Sequence, residues 1–373
     1  MRVLHVHSGN LYGGVETLLL TLAGHRDFCP DVEPHFALCF EGRLSEELAA
    51  VSARTHQLGK VRARYPLSVW RARRMLADVI REHQIDVAIC HSMWPHAIFA
   101  PVIRKAGLPM VLWSHGAYDG RHWTERWSRL SPPHLAIANS QFSARALRKI
   151  YPNVPTTVLH CMIRVSDWCR SDADRTFVRS EFQTPKEDVV IVQVGRMEPS
   201  KGHIVHLNAL GMLSELPGWT CWQVGGGQRP CESRYVEKLK RTAFELGIED
   251  RVRFVGERSD VRRILAAADI YCQPNVTPEG FGIAIVEALC ARLPVVTAAI
   301  GGAIEIVDES CGQLLPAKDT QQLASLLRRL IQDGALRKNL GAAGPARARQ
   351  LCDPATQLQQ LHQTLVTLLD NHA

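Results

Sequence analysis

The chain contains no uninterrupted apolar run that approaches the length of a membrane span. A transmembrane helix needs about 20 consecutive apolar residues, and the longest apolar stretches here are broken by proline, glycine or charge. Residues 1–6 have the pattern of a short strand and are followed by glycines, which is unlike a signal peptide. We therefore expect a cytoplasmic protein.

The sequence also lacks any C-x-x-C pair, although it contains eleven cysteines. An odd number of cysteines without a secretory signal or metal-ligand spacing disfavours both disulfides and a zinc site. Because the cysteines are scattered through apolar segments, we expect reduced and mostly buried thiols. Examples are Cys39, Cys90, Cys221, Cys272 and Cys290.

Two further signatures are missing or misplaced. The glycine-rich turn after the first predicted strand is not the dinucleotide fingerprint G-x-G-x-x-G. The only Asp-x-Asp sequence, from Asp172 to Asp174, lies in a segment that we predict to be irregular rather than at the end of a strand. We interpret it as solvated linker charge and expect neither a catalytic metal nor a cofactor.

With 373 residues, the chain is longer than a single ordinary core requires. Strand-like apolar runs alternate with helical patterns throughout, which indicates parallel α/β architecture. The predicted strands are 3–7, 36–39, 87–91, 110–115, 135–139 and 157–160, then 189–194, 220–224, 252–255, 270–273 and 294–298. The predicted helices include 15–26, 69–83 and 142–150, then 203–215, 235–246, 261–267, 281–291, 321–332 and 335–351.

The alternation is lost between residues 161 and 187, where charged residues accumulate. We therefore expect an N-terminal domain at 1–165, a second domain at 166–354 and a final helix at 355–373 that packs back towards the first domain. Open parallel sheets bind their ligands at the carboxyl ends of the strands. Two such domains facing each other would form a central cleft.

The positive charge lies entirely in the first part of the chain. Residues 1–160 hold 19 Lys and Arg against 12 Asp and Glu, whereas residues 161–373 hold 25 of each kind. This excess is consistent with an anionic membrane face, an acidic acceptor or a simple solvated surface. No nucleic-acid motif accompanies it, so we expect no nucleic-acid partner. The local concentration comprises Lys60, Arg62, Arg64, Arg71, Arg73 and Arg74.

The segment 278–290 combines two carboxylates with a glycine turn at the start of a helical pattern. Glu287 is the single charged residue among apolar helical neighbours, and an ionised carboxylate there is costly unless it is paired or hydrogen-bonded. Glu279 precedes the turn, and exposed N–H groups at a helix start attract phosphate. A phosphorylated, polyhydroxylated ligand such as a nucleotide-sugar fits this pattern. A core helix whose glutamate reaches solvent or an internal arginine is the alternative.

Two cations, Arg196 and Lys201, follow the strand predicted at 189–194. Cations at a strand end can grip a diphosphate and stabilise the charge that develops on it as it leaves. Taken alone, this loop would favour the interpretation as a pair of solvated loop charges.

Further candidates follow other predicted strands. Gly13 and Gly14 open a helix after the first strand, where the backbone can approach an anion closely, although this motif taken alone favours an ordinary tight strand-to-helix turn. His115 follows the strand predicted at 110–115 and could hydrogen-bond a sugar hydroxyl or move a proton, although His7 and His91 also lie at strand ends and compete for this role.

Gly225 and Gly226 follow the strand at 220–224 and could approach a base or ribose, or belong to a plain loop.

Taken together, these motifs resemble the family-4 group of retaining glycosyltransferases with the GT-B fold. The resemblance rests on Glu279 and Glu287 eight residues apart around Pro-Glu-Gly-Phe-Gly, on Arg196 and Lys201, and on the sequence Gly-Gly-Val-Glu from residue 13. It covers nearly the whole chain in the right order. It implies two Rossmann-like domains facing a central cleft, with the acceptor bound mainly by the first and a nucleotide-sugar by the second.

The resemblance also implies roles for individual residues. Arg196 and Lys201 would hold the donor diphosphate, Glu279 would contact the sugar hydroxyls and Glu287 would accept hydrogen bonds from the ribose. The remaining positions would complete the donor site, with His115 near the transferred sugar. The implied donor-binding residues are Gly13, Gly14, Gly225, Gly226, Phe281, Gly282, Ile283 and Glu287.

The resulting hypothesis is a metal-independent transfer of a sugar, with retention of configuration, onto a glycan, lipid-linked or small acceptor in cell-surface polysaccharide or glycoconjugate synthesis. The enzyme would be cytoplasmic, with peripheral contact between its basic N-terminal half and the inner face of the plasma membrane. The alternatives are a sugar-nucleotide epimerase or hydrolase of the same fold, or a silent nucleotide-binding partner. A Trp- and Arg-rich segment at 120–133 would either stack on sugar and bind acid groups or bury a mobile loop.

Overall fold

The computed structural model describes residues 1–9, 13–25, 28–168, 171–227 and 230–372. The chain divides into two compact units, the first formed by Met1–Ile163 with Cys352–Ala373 and the second by Arg164–Leu351. From the sequence we placed these junctions at 165/166 and 354/355. The chain therefore leaves the first unit once and returns to it for its last segment.

The first unit is built on a seven-stranded parallel sheet with the order β3-β2-β1-β4-β5-β6-β7. Its strands are β1 Arg2–His7, β2 Glu33–Leu38, β3 Arg54–Gln57, β4 Val87–His91, β5 Met110–Ser114, β6 Leu135–Ala138 and β7 Thr156–Val158. Its helices are α1 Gly14–Gly24, α2 Arg43–Ala50, α3 Pro66–Glu82, α4 Met93–Lys105, α5 Trp123–Ser128, α6 Gln141–Ile150 and the final helix α15 Pro354–Asp370.

Both faces of the sheet are buried at β4, β5 and β6, which explains the mostly apolar sequences of these central strands. On one face, Val3 and Ile89 pack with residues of α1, α2 and α15. On the other, Leu4 and Ala88 pack with residues of α3 and α4. Helix α15 contributes Leu361 to the first face, so the end of the chain completes the core of the first unit.

The second unit contains a six-stranded parallel sheet with the order β10-β9-β8-β11-β12-β13. Its strands are β8 Val189–Val194, β9 Trp219–Val224, β10 Val252–Gly256, β11 Ile270–Gln273, β12 Val295–Ala298 and β13 Gly312–Leu315. Its helices are α7 Asp172–Glu181, α8 His203–Gly211, α9 Pro230–Glu245, α10 Val261–Ala267, α11 Ile283–Cys290, α12 Ala303–Ile306, α13 Thr320–Gln332 and α14 Gly334–Cys352. The two parallel α/β units confirm the predicted Rossmann-like architecture.

One prediction about the junction was wrong. The segment 161–187 is not irregular throughout, because Asp172 and Asp174 lie in the first turn of α7. Acidic residues are favourable at the positive end of a helix, and the hydroxyl of Ser171 caps this helix by accepting from the N–H of Asp174. Asp174 also forms an ion pair with Arg263 at 2.7 Å. The Asp-x-Asp sequence is thus a helix start and not free linker charge.

Two other expectations concern membranes and thiols. None of the described helices combines the length and the apolar character that crossing a bilayer requires. The nine cysteines whose side chains are described are reduced and buried, and burial raises the pKa of Cys39 and Cys221 to about 12. These thiols are therefore held in the unreactive protonated form.

Candidate functional site

The predicted donor-binding residues of the second unit gather at one edge of its sheet. Strands β9, β8, β11 and β12 are neighbours in that order, and parallel strands bring their carboxyl ends to the same edge. The loop after β8 carries Arg196 and Lys201, the loop after β9 carries Gly225 and Gly226, and the loop after β11 carries Glu279.

The centre of this edge is an ion pair between Lys201 and Glu279. The Lys201 Nζ atom lies 2.6 Å from Oε1 of Glu279, and both side chains are largely buried. The second oxygen of Glu279 accepts hydrogen bonds from the side-chain amides of Asn275 at 3.0 Å and Gln273 at 3.2 Å. The loops after β8 and β11, which are far apart in sequence, are thus joined by Glu279, whose two carboxylate oxygens both have partners.

These contacts determine the charge of Glu279. Burial of the carboxyl opposes ionisation, but the pairing with Lys201 and the hydrogen bond from Asn275 outweigh it, and the pKa of Glu279 is lowered. Glu279 is therefore an anionic acceptor at neutral pH. It can accept hydrogen bonds from hydroxyl groups, but it does not carry a proton to donate.

The backbone explains how Lys201 reaches Glu279. Lys201 ends a short 3-10 turn, and the next residue, Gly202, has φ +73°. A Cβ atom at Gly202 would overlap the carbonyl oxygen of Pro274, so only glycine allows the loop after β8 to lie against the loop after β11. The N–H of Val276 donates to the carbonyl of Ser200 at 2.9 Å and holds the two loops together.

Arg196 lies in the same loop but has different partners. Its guanidinium is 3.2 Å from a carboxylate oxygen of Glu198 and 3.6 Å from one of Glu232. Its side chain is 37% exposed, against 15% for Lys201, so Arg196 retains access to solvent and to a ligand. Both cations are held in place by carboxylates before any ligand is bound.

The start of α11 adjoins Glu279. Phe281 is buried, Gly282 is the N-cap with φ +116°, and Ile283 is the first helical residue. No side chain caps this helix start, and the first N–H groups of an α-helix have no acceptor within the helix. The arrangement therefore presents donor groups suited to an anion next to the Lys201–Glu279 pair.

Glu287 lies one turn further along α11. Its side-chain carboxyl group has no hydrogen-bond or ion-pair partner among the residues that the structure describes, and desolvation of this partly buried group raises its pKa from 4.5 to about 7. An unpaired buried carboxyl group is destabilising when it is ionised. Two hydroxyl donors from a ligand would remove that penalty.

The glycines after β9 are placed by close backbone contact. The N–H of Gly225 donates to the carbonyl of Gly256 at 2.8 Å. A Cβ atom at Gly225 would collide with the carbonyl oxygen of Gly195, whereas Gly226 lies beside Glu257. Both glycines therefore line the same sheet edge as Arg196.

The remaining predicted residues belong to the first unit. Gly13 is the N-cap of α1 and Gly14 its first residue. Residues 10–12 of the same glycine-rich turn lie outside the described residues. Glu16, in the first turn of α1, is buried and pairs with Nε2 of His7 at 2.7 Å.

His115 directly follows β5 and is hydrogen-bonded to His91, with 3.0 Å between Nε2 of His115 and Nδ1 of His91. Burial and the neighbouring His7 lower the pKa of His115 to about 3. The imidazole is therefore neutral at physiological pH, so it acts as a hydrogen-bonding group and not as a cation. His7 and His91, which compete with His115 in the sequence, prove to be its neighbours in the same sheet.

The Trp- and Arg-rich segment forms α5, which is anchored by its polar face. The buried Glu125 accepts from the N–H of Gly120, and Ser128 accepts from the hydroxyl of Tyr151 at 2.5 Å. Trp123 and Trp127 contact each other edge to face, with ring centroids 5.2 Å apart, and remain exposed. The tryptophans thus line a surface and do not fill a core.

The structure brings Arg196, Lys201, Glu279 and the start of α11 together at one sheet edge, and it places Gly13, Gly14 and His115 in the other unit. Sequence reasoning missed Gln273 and Asn275, which hold Glu279. Their signal was a polar pair at the carboxyl end of the buried strand β11.

Among the described residues, no group of three or more His, Cys, Asp or Glu side chains could hold a metal ion.

Known proteins match both units. The family model described as Glycosyltransferase Family 4 matches residues 12–167, and that described as Glycosyl transferases group 1 matches residues 174–347. A GDP-mannose-dependent monoacylated alpha-(1-6)-phosphatidylinositol monomannoside mannosyltransferase from Corynebacterium glutamicum is 27% identical over 90% of this chain and 89% of its own. A D-inositol 3-phosphate glycosyltransferase from Nocardioides is 29% identical, over 58% of this chain and 50% of that protein.

A solved structure extends the similarity to three dimensions. HepE from Anabaena, solved in complex with UDP, superposes with a TM-score of 0.86 at 25% identity and covers 98% of this chain and 100% of its own. The same protein has been solved with UDP-glucose, and that structure superposes with a TM-score of 0.87 over the same share of each chain. Since the two family models together match nearly the whole chain and the fold agrees, the chain belongs to the family-4 glycosyltransferases with the GT-B fold.

Proposed function

We propose that this glycosyltransferase moves a sugar from a nucleoside diphosphate-sugar to a glycan, lipid-linked or small acceptor and retains the anomeric configuration. The observation that carries the proposal is the convergence of Lys201, Arg196 and Glu279 beside the uncapped start of α11. Two cations and the N–H groups at a helix start suit a diphosphate, and an ionised carboxylate beside them suits sugar hydroxyls.

In the proposed reaction, the bond between the anomeric carbon and the diphosphate oxygen breaks, and a bond from that carbon to the acceptor hydroxyl oxygen forms on the same face. The proton of the acceptor hydroxyl passes to the departing diphosphate. Lys201 and Arg196 stabilise the charge on the leaving oxygens. Glu279 fixes the sugar, Glu287 accepts from the ribose hydroxyls, and the N–H groups of Phe281, Gly282 and Ile283 at the start of α11 contact the phosphates.

The state of Glu279 favours transfer over epimerisation or hydrolysis by a general acid. A general acid must be protonated at the working pH, whereas the pKa of Glu279 is lowered by its pairing with Lys201. An ionised acceptor suits a group that orients the sugar. A silent nucleotide-binding partner would not require this charged arrangement beside the phosphate cradle.

The similar proteins use different nucleotide-sugar donors, and one of them acts on a lipid acceptor. The Anabaena protein is solved with UDP and UDP-glucose, whereas the Corynebacterium mannosyltransferase uses GDP-mannose and acts on a phosphatidylinositol derivative. We therefore propose an acceptor of the lipid-linked or glycoconjugate type. The exposed pair Trp123 and Trp127 offers aromatic faces on which an acceptor sugar can stack.

We also propose that the cytoplasmic enzyme makes peripheral contact with an anionic membrane through the start of α3. Here Tyr65, Leu67 and Trp70 are exposed while the opposite side of the helix is buried. The guanidinium of Arg64 lies 5.0 Å from the ring centre of Tyr65, and that of Arg74 lies 5.9 Å from the ring of Trp70. Apolar side chains ringed by cations suit a negatively charged lipid surface. These five residues with Arg71 are called the α3 surface below.

The test is turnover of a donor panel with and without acceptor extract. The panel contains UDP-, GDP- and ADP-sugars, and binding is ranked first by thermal shift, since a nucleotide at 100 times its Kd stabilises the protein by about 2.7 kcal/mol. We expect sugar transfer only when acceptor is present, with the anomeric configuration retained and activity kept in EDTA. Nucleotide release that is equally fast with and without acceptor would indicate a hydrolase. Formation of a new sugar epimer would indicate an epimerase, and nucleotide binding without any turnover would indicate a silent partner.

A further inference from the structure

A row of three directly hydrogen-bonded histidines crosses the first unit. Nδ1 of His5 lies 2.9 Å from Nε2 of His91, and Nδ1 of His91 lies 3.0 Å from Nε2 of His115. His5 is on β1, His91 ends β4 and His115 follows β5, and these three strands are neighbours in the sheet. The row leads from the interior of the sheet to its carboxyl edge.

The row is rigid. His91 is completely buried and His5 almost so. The rings of His91 and His115 stack with centroids 5.3 Å apart and planes at 10°, and the buried Trp113 stacks against both. His7, which is held by Glu16, meets the ring of His91 edge on. The rings therefore cannot turn without disturbing a packed core.

Direct imidazole–imidazole hydrogen bonds couple the tautomers of the three rings. A neutral imidazole has one N–H donor and one acceptor nitrogen. If His115 donates from Nε2, then His91 must donate from Nε2 to His5; if His115 accepts at Nε2, both bonds run the other way. A single ring cannot change its tautomer without leaving two donors or two acceptors face to face.

The rings are also kept neutral. Burial lowers the pKa of His5 and His115 to about 3 and that of His91 well below its ordinary value. A neutral row cannot store a proton, so it does not function as a proton reservoir. What it can do is dictate whether Nδ1 of His115, the nitrogen outside the row, is a donor or an acceptor.

We propose that His91 and His5 are positioning residues for sugar transfer, because they fix the orientation and the tautomer of His115. This inference rests on the proposed sugar transfer and on the role that the family resemblance implies for His115 near the transferred sugar. His91 acts on His115 directly, and His5 acts on it through His91. An effect of His5 on turnover is therefore the distinguishing consequence.

The first experiment is ¹⁵N NMR of the imidazole nitrogens in the full-length wild-type protein without ligand. We expect His5, His91 and His115 each to show a single neutral tautomer. The three tautomers should be those in which both hydrogen bonds of the row run in the same direction. A mixture of tautomers at His115 would overturn the inference. Because this measurement needs no substrate, it remains informative if no transfer activity is found, which would count against the proposed function alone.

The second experiment compares variants in steady-state transfer. We expect His91→Leu to lower kcat about ten- to a hundredfold, and His5→Leu by a smaller factor of at least about three. His5→Asn, whose amide can replace Nδ1 of the imidazole as a partner for His91, should restore most of kcat. Nucleotide Kd should change less than twofold, because the proposed nucleotide-binding side chains Arg196, Lys201 and Glu287 belong to the second unit.

His56→Leu is the matched control. It breaks another histidine–histidine hydrogen bond of the first unit, 3.0 Å long, between His56 and His35. We expect wild-type kcat from this variant. An equal loss of kcat in His56→Leu, or undiminished kcat in a folded His91→Leu protein, would show that the row is merely structural. If the leucine variants do not fold, His5→Asn and the wild-type NMR still decide the question.

Discussion

The ionisation state of Glu287 could not be predicted from its position in the sequence. The sequence identifies it as the only charged position in an apolar helical pattern and predicts a polar partner. In the structure that partner is absent among the described residues, and burial raises the pKa of Glu287 to about 7. The chemical state of the side chain depends on burial by distant segments, which the sequence pattern does not specify.

The raised pKa predicts pH-dependent nucleotide binding. Below about pH 7 the free protein holds Glu287 protonated, whereas ribose hydroxyls that donate to the carboxylate favour its ionised form. Binding therefore releases a proton below this pH, and affinity for a nucleoside diphosphate should rise with pH from about 5.5 and level off near 8. Calorimetry in buffers of different ionisation enthalpy measures both the affinity and the released proton.

Glu287→Gln is the control for this titration, because the amide keeps the shape of the side chain but does not ionise. We expect weaker binding whose remaining pH dependence comes from the phosphate groups alone. The same proton release in the variant as in the wild type would assign the titration to another group.

Lys201 is predicted to matter for turnover more than any exposed lysine. Lys201→Ala should reduce kcat by well over tenfold, because it removes a positioned charge from the leaving diphosphate. It also leaves the buried Glu279 carboxylate without its cation, so the pKa of Glu279 should rise. Steady-state transfer assays measure the loss.

Lys240→Ala provides the comparison, since Lys240 also lies 3.0 Å from a glutamate oxygen, that of Glu237, but on the exposed surface. This variant should keep wild-type kcat, as exposed pairs contribute little. Undiminished turnover in Lys201→Ala would remove that lysine from the donor site.

At the scale of elements, long apolar segments were predicted well and short polar ones were not. Strand β3 was missed because its sequence, Arg-Thr-His-Gln, carries no apolar alternation. It pairs only with β2 at the edge of the sheet, where partly exposed polar side chains are tolerated. Helix α7 was missed because charge accumulation was interpreted as a linker, although its two aspartates are in the favourable first turn.

Helix α3 carries a prediction of its own. The double change Leu67→Ser and Trp70→Ser should weaken binding to vesicles of equal phosphatidylglycerol and phosphatidylcholine by about tenfold or more, since burial of such side chains contributes about 1.5–3 kcal/mol each. Wild-type binding should fall steeply with salt, because the cations of the α3 surface contribute electrostatically. Vesicle sedimentation measures both effects.

Phe244→Ser is the control that shows whether replacing any exposed aromatic residue weakens vesicle binding. Phe244 lies on α9 of the second unit and is exposed. Its loss should leave vesicle binding unchanged. If the wild-type protein does not bind anionic vesicles at low salt, the proposed membrane contact is wrong.

At the scale of the whole molecule, the sequence supported the two-unit architecture, because alternation of strands and helices stops and restarts once. It also identified Lys201 by its position after β8 and Glu279 by its position before the glycine turn that opens α11. It could not predict that the two side chains touch, since that contact joins residues 78 positions apart. The contact requires the close approach of two loops that Gly202 permits.

The return of the chain to the first unit leads to a prediction about the separate stability of the two units. Leu361 on α15 is buried in the core of the first unit, so Leu361→Ala should destabilise that unit by about 2–5 kcal/mol. Hydrogen exchange should then accelerate in β1 but not in β8, and nucleotide Kd should stay unchanged. Gln359→Ala, at an exposed position of the same helix, should alter stability by no more than about 0.5 kcal/mol. Faster exchange in β8 of the leucine variant would mean that the two cores do not unfold independently, and unchanged exchange in β1 would mean that α15 contributes nothing to the first core.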